Sequence, residues 1–147
     1  MVEIAIELAQ SHHGDFLEAR ALIRRVRELG ADTVKLQCHV GRTDTRASYF
    51  LRNTFHTATE WADLCKVAED AGLQILVSPF TQEAVTLLTP LVSRWKIGSA
   101  SWGLLSTLPI KPLFASVGLV TSQEVERLRD SWRHAPLTLV RTVSVYP

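Results

Sequence analysis

Two lysines, a glutamate and a row of serines mark where this chain could do chemistry. Lys35 closes the apolar run 33–35, and Lys96 follows Trp95 in Trp95-Lys96-Ile97-Gly98-Ser99. An ammonium group at the end of a buried strand is costly to desolvate unless an anion or a carboxylate compensates it. The pair therefore points to a ligand carrying phosphate or carboxylate. Ser78, Ser99 and Ser116 also follow apolar runs, and Gly98 and Gly118 beside them permit close backbone approach. One such serine alone reads as a turn or a cap; repeated at successive strand ends, the hydroxyls form a set of anion donors. Glu7 lies inside an apolar run and needs either a lysine partner, with a structural salt bridge to Lys35 as one reading, or a catalytic reason. His12 and His13 stand in a loop before a helix and could meet a phosphate, a sugar hydroxyl or a metal. Adjacent loop histidines are an awkward metal pair, so no metal-ligand set is read from the chain.

The elements that must position these groups follow from periodicity. Apolar runs at 4–7, 33–35, 75–77, 95, 113–115 and 137–140 each lead into a polar signature, the second ending on Gln37 and the last on Ser144-Val145-Tyr146-Pro147. Between them, segment 15–29 carries Ala19, Leu22, Ile23, Val26 and Leu29 at helical spacing, opened by Asp15 with Glu18 and stopped by Gly30. Thr57 with Glu60 and Thr121 with Glu124 are capping-box pairs that open two more helices, and Thr81 opens a shorter one over 83–88. Short aliphatic strands alternating with helices predict a parallel sheet whose ligand chemistry gathers at the strand carboxyl ends. Segment 41–56 lacks periodicity and reads as a long loop, and 99–111 leaves space for a turn or a very short helix.

Size and composition place limits on function. A chain of 147 residues with 46% hydrophobic and 21% charged residues suits a single domain with its own core. The net charge of +1 gives no case for nucleic acid. The Arg20, Arg24, Arg25 and Arg27 cluster, interleaved with apolar and acidic residues, reads as a solvated helix face. No apolar stretch reaches the about 18 residues of a membrane span, and the start lacks a secretion signal, so a cytoplasmic location is expected. Cys38 and Cys65 are expected to be free thiols.

At these residues the sequence resembles the sialic acid synthase family. The family blocks A-E-I-G-x-N-H-N-G, G-A-D-A-V-K-F-Q and S-T-P-F-D are met by Ile6-Glu7-Leu8-Ala9-Gln10-Ser11-His12-His13-Gly14, by Gly30-Ala31-Asp32-Thr33-Val34-Lys35-Leu36-Gln37 and by Val77-Ser78-Pro79-Phe80-Thr81. K-I-A-S is met by Lys96-Ile97-Gly98-Ser99, K-P-x-x-x-S-T-G by Lys111-Pro112 with Ser116-Val117-Gly118, and H-C-x-S-x-Y-P by Arg141-Thr142-Val143-Ser144-Val145-Tyr146-Pro147.

The resemblance implies an α/β fold, an incomplete TIM-type (β/α) barrel of about six parallel strands, spanning residues 1–147 and lacking the last two βα units. It implies a phosphoenolpyruvate-dependent transferase that forms a carbon–carbon bond to an N-acetylated aminosugar. In that chemistry the enolpyruvate carbon attacks the sugar aldehyde, polarised by a divalent metal such as manganese or magnesium, and water addition and phosphate loss follow. Lys35 and Lys96 would hold the phosphoenolpyruvate anion, with phosphate contacts from Ser78, Ser99 and Ser116, and Glu7 would sit beside the aldehyde. His12, Gln37, Ser144 and Tyr146 are further substrate-binding candidates. Arg141 stands where the family has a metal-binding histidine, and a guanidinium has no lone pair to give; Thr81 stands where the family has an acid. The other reading is a catalytically deficient anion-binding or assembly subunit. Open sheet edges imply a homo-oligomer or a partner chain that covers them.

Overall fold

The computed structural model describes residues 2–43 and 47–143. Six strands, β1 (Ala5–Ala9), β2 (Thr33–Cys38), β3 (Gln74–Pro79), β4 (Trp95–Ile97), β5 (Leu113–Ser116) and β6 (Leu137–Val140), form one sheet in sequence order. Every neighbouring pair is parallel. Right-handed crossovers between successive strands place all connecting helices on the same face of such a sheet. The opposite face is left for the site.

The connecting helices are α1 (Phe16–Glu28), α3 (Ala58–Asp70), α4 (Gln82–Leu88) and α5 (Ser122–Ser131). Their starts are where local chemistry demands. Asp15 accepts from Glu18 N–H at 2.9 Å, and Thr81 accepts from Ala84 N–H at 3.0 Å. Thr57 and Thr121 complete reciprocal capping boxes with Glu60 and Glu124. Ala19, Ile23 and Val26 on α1 and Trp61, Leu64 and Ala68 on α3 are buried against the outward strand residues Val34, Leu36, Cys38 and Val77. Cys38 and Cys65 are free, and burial pushes both thiols up to about 11.

Two connections differ from the expectation. Segment 41–56 contains a helix, α2 (Ala47–Arg52). It has no capping signature in its sequence; tertiary packing of Phe50 on His39, ring centroids 4.3 Å apart, holds it. The connection after β4 is a 3-10 segment, Ser99–Thr107, interrupted at Ser101 by non-helical backbone, longer than the turn expected. The lysines also sit slightly earlier than expected: Lys35 is the third residue of β2 and Lys96 the middle residue of β4, rather than strand ends. No helix of the described residues is long and apolar enough to cross a membrane.

Candidate active site

Strand register decides which side chains meet. Glu7 lies opposite Lys35, and Gln37 opposite Ser78. Lys96 lies opposite Phe114, with Ser116 two residues farther along β5. Because strand side chains alternate between faces, Glu7, Lys35, Gln37, Ser78, Lys96 and Ser116 all project from the helix-free face. They line a cavity of about 540 Å³ with Ser99 and Phe80 among its other walls.

Glu7 is held at both oxygens. Its Oε1 accepts from Ala9 N–H at 2.9 Å, and its Oε2 pairs with Lys35 Nζ. The register shifts between Glu7 and Ala9, and Ala9 has φ +44°, a left-handed conformation that costs energy for a residue with a Cβ. This irregularity turns the Ala9 N–H onto the carboxylate. The salt bridge read as one possibility in the sequence is therefore present.

Lys96 is placed differently. Its Nζ donates to Ser116 Oγ at 2.6 Å and to Ile97 O at 2.9 Å. Burial, and then repulsion from Lys35, lower its pKa to about 8, against a smaller opposing pull from Glu7. Ser116 accepts from Lys96, so its own hydroxyl proton is free to point elsewhere. Ser99 Oγ accepts from Gly118 N–H at 3.1 Å and lies 3.2 Å from Thr142 Oγ1. A Cβ on Gly118 would collide with Thr142, which explains the glycine in this close approach. The site offers two ammonium groups, one carboxylate and several hydroxyl donors, an arrangement that suits an anion with both phosphate and carboxylate groups.

The remaining candidates divide. His12 is buried away from this cavity: its Nδ1 accepts from Gly14 N–H at 3.1 Å, its ring packs on Phe55 at 4.7 Å, and burial chiefly lowers its pKa. His13 is exposed, with φ +48°. Ser144 and Tyr146 lie outside the described residues. Lys111, in a matched motif, instead donates to Thr89 O at 2.6 Å and Val92 O at 2.7 Å and ties the connection before β4.

Sequence reasoning missed Phe80 and Thr142 as walls of the cavity, and it missed His39, which contacts Gln37. The alternation Lys35, Gln37, His39 was the available signal for the last. No group of three or more His, Cys, Asp or Glu side chains among the described residues could hold a metal ion, and Arg141 is exposed. The described residues therefore do not fit a metal of their own.

Known proteins resemble this chain in sequence and in fold. The chain is 29% identical to the pseudaminic acid synthase of Helicobacter pylori, over 99% of this chain and 51% of that protein. It is 27% identical to the N,N'-diacetyllegionaminic acid synthase of Legionella pneumophila, over 87% of this chain and 43% of that protein. The chain thus spans about half the length of the curated relatives it matches. Among solved structures, the N-acetylneuraminic acid synthetase of Leptospira borgpetersenii superposes with a TM-score of 0.86 at 19% identity, covering 99% of this chain and 56% of that one. A putative spore coat polysaccharide biosynthesis protein E from Chromobacterium violaceum superposes with a TM-score of 0.78 at 27% identity, covering 97% and 49%. The six-stranded open sheet is thus the N-terminal part of the barrel seen in sialic acid synthases. With the NeuB family model matching residues 22–147 as well, the chain belongs to the NeuB family.

Proposed function

We propose that the helix-free face binds phosphoenolpyruvate, and that the chain supplies the anion-binding half of a synthase joining phosphoenolpyruvate to an N-acetylated aminosugar in sugar-acid biosynthesis. The observation that carries this reading is that two ammonium groups share one face with a single carboxylate, which pairs with Lys35 and leaves one positive charge over. Glu7 neutralises Lys35, and the Lys96 charge is left for a ligand. Lys35 and Lys96 hold the carboxylate and phosphate of the substrate. Ser78, Ser99 and Ser116 donate to its oxygens, and Gln37 lines the same wall. Glu7 keeps Lys35 in place and faces the reacting carbon of the sugar. This is catalysis by positioning and by charge complementarity.

Synthases of this family generally depend on a metal. A divalent ion, manganese or magnesium, would supply Lewis-acid polarisation of the sugar aldehyde in such a synthase, and the described residues offer no ligand set for it.

The edges of the sheet, β1 and β6, each pair on one side only among the described residues, and an unpaired edge invites another strand. Further strands, from a longer polypeptide, a second copy or a separate chain, cover them. The enzyme works in the cytoplasm, where phosphoenolpyruvate is made. The test is phosphate release from phosphoenolpyruvate with N-acetylmannosamine and manganese, with Lys35→Ala and Lys96→Ala as controls. Turnover that both substitutions abolish supports the reading, and turnover indifferent to both overturns it.

A second reading is a non-catalytic subunit that retains anion binding. Arg141 in place of a metal-binding histidine favours it. Phosphoenolpyruvate binding without turnover, in the presence of any partner chain, would select it.

A further inference from the structure

The group that orients Gln37 lies just beyond the end of β2. His39 is 1% exposed, and its ring is stacked between Phe50 at 4.3 Å and Phe80 at 4.2 Å, nearly parallel to both. Its backbone N–H donates to Thr54 Oγ1 at 3.2 Å. Each ring nitrogen meets a polar group: Nδ1 lies 3.1 Å from Arg42 Nη1, and Nε2 lies 3.1 Å from Gln37 Oε1. The Arg42 guanidinium also stacks over Phe50 at 4.2 Å.

The Arg42 and Gln37 contacts each dictate a role for the ring nitrogen they meet. A guanidinium only donates, so Nδ1 of His39 must accept and carries no proton. In the neutral ring the proton is then on Nε2, which donates toward Gln37. A glutamine receiving that bond must present its carbonyl oxygen to the ring, which turns its amide nitrogen, with two N–H donors, toward the cavity. The reverse flip would set an N–H donor against an N–H donor.

We infer that His39 is a positioning residue, clamped between Phe50 of α2 and Phe80 of the cavity wall, that holds the Gln37 amide as a hydrogen-bond donor to the bound anion. The inference rests on the anion-binding reading for the identity of the ligand but not for the orientation of the amide. Helix α2 thereby acquires a function, since Phe50 supplies one face of the clamp. Through the stack, α2 is linked to the same wall of the site that Lys35 builds.

Two measurements on the whole chain test it. Long-range proton–nitrogen NMR of the His39 ring, recorded without ligand at neutral pH, should show the Nε2-protonated tautomer. A ring protonated at Nδ1 alone would overturn the inference. Calorimetric titration with phosphoenolpyruvate should show about fivefold weaker binding in His39→Phe, which preserves the stack but loses both ring hydrogen bonds. In a Gln37→Leu background the same substitution should cost nothing further, because its effect passes through Gln37. Losses that multiply independently would overturn the inference, as would a Gln37→Glu variant that binds the anion as tightly as the parent. Lys35→Ala separates the two ideas. If it binds phosphoenolpyruvate as the parent does, the anion site fails, and the ring tautomer alone then decides whether His39 orients Gln37.

Discussion

Lys96 Nζ donates to Ser116 Oγ at 2.6 Å, whereas Lys35 on the same face pairs with the Glu7 carboxylate. One lysine is neutralised inside the protein. The other has no carboxylate partner among the described residues and is partly desolvated beside a like charge. On the proposed function, this asymmetry is what lets the face receive an anion.

The pH dependence of binding follows from that asymmetry. Lys96 titrates at about 8 rather than 10.5. A bound anion favours its charged form, so phosphoenolpyruvate affinity should be level below about pH 8 and should fall as pH rises through that value. The stability of the ligand-free fold runs the other way. A lysine whose folded pKa is lowered makes the fold gain stability as pH rises from about 8 toward 10.5, because the unfolded chain binds more protons there. Calorimetric titrations across this range should show the alkaline loss of affinity, and Lys96→Arg should remove it while keeping the charge.

Ala9 occupies a left-handed conformation, at φ +44°, where the resembled family has glycine. Ala9→Gly relieves that conformation and keeps the N–H bond to Glu7, at the cost of a more flexible unfolded chain. A net stabilisation of about 0.5–1 kcal/mol is expected, read as a rise in Tm of a few degrees. A lower Tm would mean that the Ala9 side chain contributes more by packing than the backbone loses.

The far end of the same face is closed by a different pair. Arg94 Nη2 donates to Glu3 Oε1 at 2.7 Å and to Thr33 Oγ1 at 2.5 Å, and Thr33 Oγ1 also donates to Glu3. The Arg94 hydrogen bond is the main cause holding the Glu3 carboxyl below its ordinary value of 4.5. A depressed carboxylate contributes stability that is present above its unfolded pKa and lost as pH falls through the folded one. Arg94→Met should destabilise the fold by about 1–3 kcal/mol at neutral pH, less than for a fully buried pair because Glu3 is partly exposed. It should also flatten the acid side of the stability profile. Urea melts at pH 7 and pH 4 would check both, and equal destabilisation at the two values would contradict the assignment.

What the sequence disclosed was the chemistry that acts over short separations or forbids isolation. The capping pairs Thr57 with Glu60 and Thr121 with Glu124 are three residues apart, so their hydrogen bonds could be read directly and are present. Glu7 and Lys35 could be matched because each charge, set among apolar residues, requires a partner. Arg94 escaped notice because its partner Glu3 is 91 residues away and neither stands in a recognisable pattern. Helix α2 escaped because its stability comes from Phe50 on His39 rather than from caps or an apolar stripe. The fate of Lys96 was hidden for a related reason. An apolar run predicts that its charge needs compensation, but not that a serine hydroxyl across the strand pair accepts its hydrogen bond.

Calorimetric titration of phosphoenolpyruvate into the chain, beside Lys35→Ala and Lys96→Ala, tests the central claim most directly. Saturable binding in the parent, lost or weakened at least tenfold in both variants with their thermal unfolding intact, is the predicted result. Binding of equal strength in all three proteins would contradict it.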